Sequence, residues 1–148
     1  MIEGVLIEPL KVFSDSRGKV MHMLRSDSLY FRNFGEIYFS TINPGAIKGW
    51  KKHLKMTQNF AVPSGNVKVV IYDDRKGCST GGEVQEVVIG QDNYCLLQIP
   101  PQVWYSFRAV GGSSAMVANC TDMPHDLNET ASKDIFDKSI PYVWRKEE

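Results

Sequence analysis

Short runs of β-branched and aromatic residues alternate with turn-forming residues along most of the chain. Turn signals recur roughly every 8–12 residues, a spacing typical of sandwiches and barrels built from short antiparallel strands. No stretch has the apolar periodicity of a long amphipathic helix. The sequence therefore predicts an all-β fold. The predicted strands cover residues 5–13, 20–24, 36–42, 47–50, 57–62, 67–72, 83–89, 94–99, 103–109 and 114–120.

Three turns punctuate this pattern most strongly, at residues 15–18, 43–45 and 63–66. The last of these, Pro63-Ser64-Gly65-Asn66, separates two predicted strands by four residues, which favours a hairpin between them. Pro9 interrupts the first run and indicates a bent or edge strand.

The region after about residue 124 lacks a clear strand pattern. A weak helical signal covers residues 128–136, where Asn128 is a candidate N-cap. We expect an irregular tail, and Trp144 near its end is expected to pack back on the strands.

Two stretches, residues 47–65 and 90–107, have the spacing of the two conserved blocks of a cupin, a small double-sheet barrel with its ligand in the barrel mouth. The chain is therefore predicted to resemble a cupin double-stranded β-helix (jelly roll), as one domain over residues 1–148. Cupin ligand positions correspond here to Lys51, His53, Gln58 and Tyr105.

Composition narrows the function classes. With 148 residues the chain is long enough for one domain with a sizeable core, and 17 Lys and Arg balance 17 Asp and Glu. No basic field favours binding to nucleic acid or to a membrane surface.

The cysteines and the N-terminus bear on the compartment. Cys78, Cys95 and Cys120 form no CxxC pair, which favours reduced thiols. Neither a signal peptide nor an apolar span of about 20 residues is evident, so we expect a cytoplasmic protein.

The candidate chemistry is free of metal. Imidazole and carboxylate are the usual cupin metal ligands, and His53 is the one such side chain at the four positions. The sequence therefore predicts no metal and no cofactor, and a metal-dependent cupin stays a minor alternative.

Acid–base chemistry is the other use of such a pocket. Lys51 and His53 lie two residues apart on a strand and so share one face, which the cupin register places inside. Burial and the adjacent positive charge favour a neutral imidazole, which makes His53 the candidate base. Lys51 is a candidate for holding an anion, and Tyr105 for donating a proton or contacting substrate. The alternatives are a structural histidine, a solvated lysine and a core tyrosine.

Five segments in order, at residues 9–20, 34–50, 69–75, 99–107 and 137–144, resemble the dTDP-4-dehydrorhamnose 3,5-epimerase family. This resemblance implies a jelly-roll homodimer that binds a nucleotide-diphosphate sugar inside the barrel. It places Arg17, Lys48 and Arg75 at the diphosphate and Gln58 at a polar position of the pocket.

The same comparison shows where the chain departs from the family. The family's catalytic histidine corresponds to Lys51, while His53 occupies the position of a glutamine. Its second-block histidine corresponds to Tyr105, and no phenol lies near Ala118, where its proton donor is expected. The chain also ends without the longer tail that carries the aspartate orienting the family's base. We therefore expect His53 to act as the base and Lys51 to stabilise the enolate.

The favoured function is a nucleotide-sugar epimerase that removes a proton next to the keto group of a 4-keto-6-deoxy sugar, in polysaccharide or deoxysugar biosynthesis. A first alternative is a 3,4-ketoisomerase of dTDP-4-keto-6-deoxyglucose, a related group of short cupins in which His53 would match the second histidine of an HxH pair. A second alternative is a cupin that binds sugar nucleotides without catalysis.

Overall fold

A computed structural model describes residues 1–145 of the chain. Twelve β-strands and one short 3₁₀ helix, Leu127–Glu129, make up its regular structure. The strands are β1 (Leu6–Pro9), β2 (Val12–Asp15), β3 (Gly18–Met21), β4 (Glu36–Ile42), β5 (Ile47–His53), β6 (Gln58–Ser64), β7 (Asn66–Tyr72), β8 (Val84–Gly90), β9 (Cys95–Ile99), β10 (Trp104–Val110), β11 (Ala115–Thr121) and β12 (Thr130–Ser132).

Ten of these strands form two five-stranded antiparallel sheets. The first sheet has the order β1-β9-β6-β11-β4, and the second has the order β12-β5-β10-β7-β8. The remaining strands, β2 and β3, pair with each other as a separate hairpin. Apart from the β7–β8 pair, neighbouring strands in both sheets are distant in sequence, as in a jelly roll, and the predicted all-β fold is confirmed.

The main core lies between the two sheets, because alternate residues of each strand point inward. Val69 and Ile71 of β7 face Phe60 and Val62 of β6 in one buried cluster. The opposite face of the second sheet carries a smaller cluster built from Trp50, Val70, Trp104, Ile140 and Trp144.

Trp144 anchors the tail to that outer face, as the sequence predicts. Its side chain is 7% exposed, and its indole nitrogen donates a hydrogen bond of 2.9 Å to the hydroxyl of Ser106. The tail therefore contributes a second apolar layer to the protein.

The predicted hairpin at residues 63–66 is wrong. β6 and β7 follow each other in the chain but belong to different sheets, so the turn carries the chain from one layer to the other. Gly65 has φ of +74°, and a Cβ there would lie 2.6 Å from the carbonyl oxygen of Ser114. A connection between sheets needs the same turn residues as a hairpin. The residue types at 63–66 therefore did not distinguish the two kinds of turn.

The tail also differs from the expectation. The helical signal at 128–136 corresponds to the single 3₁₀ turn, and Asp126 rather than Asn128 caps it by accepting a hydrogen bond from the Asn128 amide. β12 then adds to the edge of β5, pairing Thr130 with His53. No helix within residues 1–145 is long and apolar enough to span a membrane.

Candidate active site

A cavity of about 180 Å³ opens between the two sheets. Both sheets supply its walls, because inward-pointing side chains of β4, β6 and β11 face those of β5 and β10. The first sheet contributes Tyr38, Ser40, Phe60, Val117 and Asn119, and the second contributes Lys48, Gly49, Lys51, Tyr105 and Phe107. The cavity is smaller than the roughly 300–1,000 Å³ of pockets that enclose a drug-sized ligand, so it fits part of a larger ligand.

His53 is held by a carboxylate from the tail. Its Nδ1 hydrogen-bonds Oε1 of Glu129, and both side chains are about 5% exposed. The other carboxylate oxygen of Glu129 accepts hydrogen bonds of 3.2 Å from the backbone amides of Lys55 and Met56. This carboxylate, which lies on the 3₁₀ turn before β12, was not found from the sequence, where only the absence of the family's longer tail and its aspartate was noted.

The charge of Glu129 determines which ring nitrogen of His53 carries the proton. Burial alone would raise the pKa of Glu129, but the hydrogen bonds from His53 and the Lys55 and Met56 amides outweigh it and hold the pKa below its usual range. The ionised carboxylate can only accept hydrogen bonds, so Nδ1 of His53 carries a proton. In the neutral imidazole Nε2 is then the proton acceptor.

Tyr105 stands between His53 and the cavity. Its hydroxyl lies 3.3 Å from Nε2 of His53, and its ring lines the cavity wall. Burial raises the pKa of Tyr105, the nearby Tyr38 raises it further, and a hydrogen bond from Gln58 offsets only part of the effect. The phenol is therefore protonated at neutral pH and donates to His53.

Two residues that the sequence interpretation missed complete the polar wall. Nδ2 of Asn119 lies 3.1 Å from Oε1 of Gln58 and 2.8 Å from the hydroxyl of Tyr38. Tyr38 shares the inward face of β4 with Ile42, and Asn119 shares that of β11 with Val117. An amide in the otherwise apolar stretch of β11 was the available signal, whereas Ala118 points to the opposite face.

Two lysines give the cavity its positive charge. Lys51 and His53 do share one face of β5, and the exposed side chain of Lys51 lines the cavity. Lys48 lines it too, with Nζ 2.8 Å from the Ser40 hydroxyl and 2.6 Å from the Thr41 carbonyl oxygen.

The predicted arginines lie away from this cavity within the chain. Arg17 is exposed on the β2–β3 hairpin and forms an ion pair of 2.7 Å with Asp15. Arg75 forms an ion pair of 2.7 Å with the buried Asp73 and also donates to the carbonyl oxygen of Glu3. Their roles at a diphosphate stay predictions, and the contacts of Arg75 give it a structural task.

The described part of the chain, residues 1–145, contains no group of three or more His, Cys, Asp or Glu side chains placed to hold a metal ion. The groups that the cavity offers are phenols, amides and ammonium ions. These are suited to proton transfer and to stabilising a negatively charged oxygen.

Comparison with known proteins adds evidence from the whole chain. Residues 1–147 match the family described as dTDP-4-dehydrorhamnose 3,5-epimerase. The probable low-salt glycan biosynthesis epimerase Agl13 of Haloferax volcanii is 33% identical over 143 residues, covering 95% of this chain and 88% of that protein. The spore coat polysaccharide biosynthesis protein SpsL of Bacillus subtilis is 32% identical over 149 residues, covering 99% of each.

A solved structure is also similar. The dTDP sugar isomerase from Desulfovibrio desulfuricans G20 is 48% identical and superimposes with a TM-score of 0.95, covering 97% of this chain and 92% of that one. The two-sheet architecture described above therefore agrees with an experimental structure of a close relative.

Replacing Glu129 tests how much the buried Glu129–His53 pair contributes to stability. Glu129→Gln removes the charge that four donors stabilise, those of His53, Lys55, Met56 and the Thr130 hydroxyl, so we expect a loss of about 1.5–3 kcal/mol in the free energy of unfolding at pH 7. Because the pKa of Glu129 is lowered by folding, its contribution is complete above about pH 4.3 and is lost as pH falls through the folded pKa. Urea unfolding at neutral and acidic pH should show the difference from wild type shrinking in acid.

The exposed Glu83→Gln variant is the matched control, and we expect its stability to stay within about 0.5 kcal/mol of wild type. An equal effect of the two substitutions at pH 7 would contradict the role given to Glu129.

Proposed function

The chain belongs to the dTDP-4-dehydrorhamnose 3,5-epimerase family, and we propose that it epimerises a nucleotide-diphosphate 4-keto-6-deoxy sugar next to its keto group. The observation that carries this proposal is the buried Glu129–His53 pair, which reaches the cavity through Tyr105 beside Lys51. The curated relatives are named for glycan and spore coat polysaccharide biosynthesis, so we place the reaction in the same class of pathway.

A 4-keto group makes the neighbouring C–H bonds acidic, because the negative charge left by proton removal is delocalised onto the keto oxygen. As the hydroxyl oxygen of Tyr105 takes the carbon-bound proton, its own proton passes to Nε2 of His53. The carboxylate of Glu129 stabilises the resulting imidazolium. The ammonium group of Lys51 stabilises the enolate oxygen.

The cavity dimensions indicate how the substrate binds. A volume of about 180 Å³ suits a single sugar ring, and the rest of the ligand then lies at the mouth. Lys48 lines the cavity with an exposed side chain and acts there as a point charge for the diphosphate. Gln58 orients Tyr105 from behind the wall rather than contacting the sugar directly.

We also propose a homodimer in the cytoplasm. β4 is an edge strand whose outer face exposes Ile37 and Phe39, and the β2–β3 hairpin exposes Phe13 and Val20. Exposed apolar patches of this kind mark contact surfaces between proteins. In such a dimer, Arg17 of one copy could also lie nearer to the cavity of the other copy. The three cysteines are free thiols, which suits a reducing compartment.

Proton exchange tests the reaction. Wild-type protein is incubated with a dTDP-4-keto-6-deoxy sugar in deuterated water. We expect the sugar to incorporate deuterium at C3, C5 or both, and NMR measures this incorporation. His53→Gln removes the proton acceptor behind Tyr105, so we expect the exchange rate to fall by about 10²–10⁴-fold. His125→Gln, at an exposed histidine outside the cavity, should exchange as wild type does.

Other results would identify the alternatives. Movement of the keto group from C4 to C3 would identify a 3,4-ketoisomerase, and stabilisation by the nucleotide without any exchange would identify a binding protein. Wild-type exchange rates in His53→Gln would contradict the role of His53.

The proposed dimer predicts a sedimentation result. Wild-type protein should sediment at twice the mass of one chain, and Phe39→Glu should shift it toward the monomer by burying a charge in the contact. Val88→Glu places the same charge at an exposed position on β8, at the edge of the second sheet, and should leave the dimer intact. A monomeric wild type, or a dimer that tolerates both substitutions, would overturn this arrangement.

A further inference from the structure

Inversion at a carbon requires two proton-transfer groups. One removes the proton from one face of the sugar ring, and the other returns a proton from the opposite face. Tyr105 on β10 and His53 on β5 both belong to the second sheet, so they serve one face. A second donor must therefore come from the first sheet, on the facing wall of the cavity.

Tyr38 is the ionisable side chain on that wall. The other first-sheet residues that line the cavity are Ser40, Phe60, Val117 and Asn119, none of which titrates in the physiological range. Tyr38 pairs across the sheet with Asn119, so β11 and β4 together present the phenol to the cavity.

The amide of Asn119 has a defined orientation. Its Oδ1 accepts a hydrogen bond of 3.2 Å from the backbone amide of Asn59, which turns Nδ2 toward Tyr38 and Gln58. Nδ2 therefore donates to the hydroxyl oxygen of Tyr38 at 2.8 Å. Because the Tyr38 oxygen accepts this hydrogen bond, the hydroxyl proton of Tyr38 is not used in it and can point into the cavity.

We propose that Tyr38 is the catalytic acid that returns a proton to the sugar carbon from the face opposite Tyr105. The O–H bond of Tyr38 breaks as the C=C electron pair of the enolate takes the proton and forms the new C–H bond. A lone pair of the enolate oxygen re-forms the C=O bond of the keto group. The proton taken by His53 leaves to solvent, and Tyr38 recovers one from solvent. No oxidant, reductant or metal enters the balance.

The surroundings of Tyr38 suit this role. Burial raises the pKa of Tyr38, and the hydrogen bond from Asn119 offsets only part of the effect, so the phenol holds its proton at neutral pH. The residue is nevertheless 39% exposed, which gives it contact with solvent for recovering the proton. Asn119 acts as a positioning residue, since its Nδ2 holds the phenol oxygen of Tyr38.

The test rests on the proposed epimerisation and uses two readouts in one experiment. Tyr38→Phe, incubated with the 4-keto sugar nucleotide in deuterated water, should still exchange the carbon-bound proton by way of Tyr105 and His53. Formation of the inverted sugar should fall by about 10²–10⁴-fold, because its proton donor is missing. Tyr94→Phe removes a phenol outside the cavity and should match wild type in both readouts.

Exchange in Tyr38→Phe also shows that the variant folds and binds substrate, so a loss of inversion alone is specific. Inversion at the wild-type rate would overturn the assignment of Tyr38, as would the joint loss of exchange and inversion. Absence of exchange in the wild type would overturn the proposed epimerisation as well, which separates the two failures.

Discussion

The candidate site depends on the contact between His53 and Glu129. Burying a carboxylate is costly unless hydrogen bonds replace its water, and here an imidazole and two backbone amides do so. The pair also joins two distant parts of the chain, the end of β5 and the turn before β12. The orientation of the imidazole therefore depends on the docked tail, which the outer cluster around Trp144 also holds in place.

From this pair a line of hydrogen bonds runs along the cavity to the opposite sheet. His53 bonds Tyr105, Gln58 bonds both Tyr105 and Asn119, and Asn119 bonds Tyr38. Nδ2 of Asn119 donates to both Gln58 and Tyr38, so this amide joins the two ends of the line. A change in the protonation of His53 alters which hydrogen bonds Tyr105 can make. The two phenols stand on different sheets, which is the arrangement that inversion of a carbon centre needs.

The strands were predictable from the sequence because alternation and turn residues act locally; β4, for example, has the predicted bounds. The shared face of Lys51 and His53 was predictable for the same reason, since period-two spacing sets the face of a strand. Tyr105 was predicted from the register of the second cupin block, and the roles of the three residues stay predictions. Glu129 was missed because a carboxylate in an irregular tail has no local signature, and its partner lies 76 residues away. Tyr38 and Asn119 were missed because their neighbourhood depends on pairing between β4 and β11, which turn chemistry does not encode.

In the proposed complex, the sugar ring lies between Tyr105 and Tyr38 with its keto oxygen at Lys51. A crystal structure of the protein with a dTDP-6-deoxy sugar, either the 4-keto substrate or an unreactive 4-hydroxy analogue, would show where the ring lies. We expect the two phenol oxygens to lie on opposite faces of the ring and the Lys51 ammonium to lie within hydrogen-bond distance of the C4 oxygen. A ring bound outside the cavity, or both phenols on one face of the ring, would rule out this placement of the sugar.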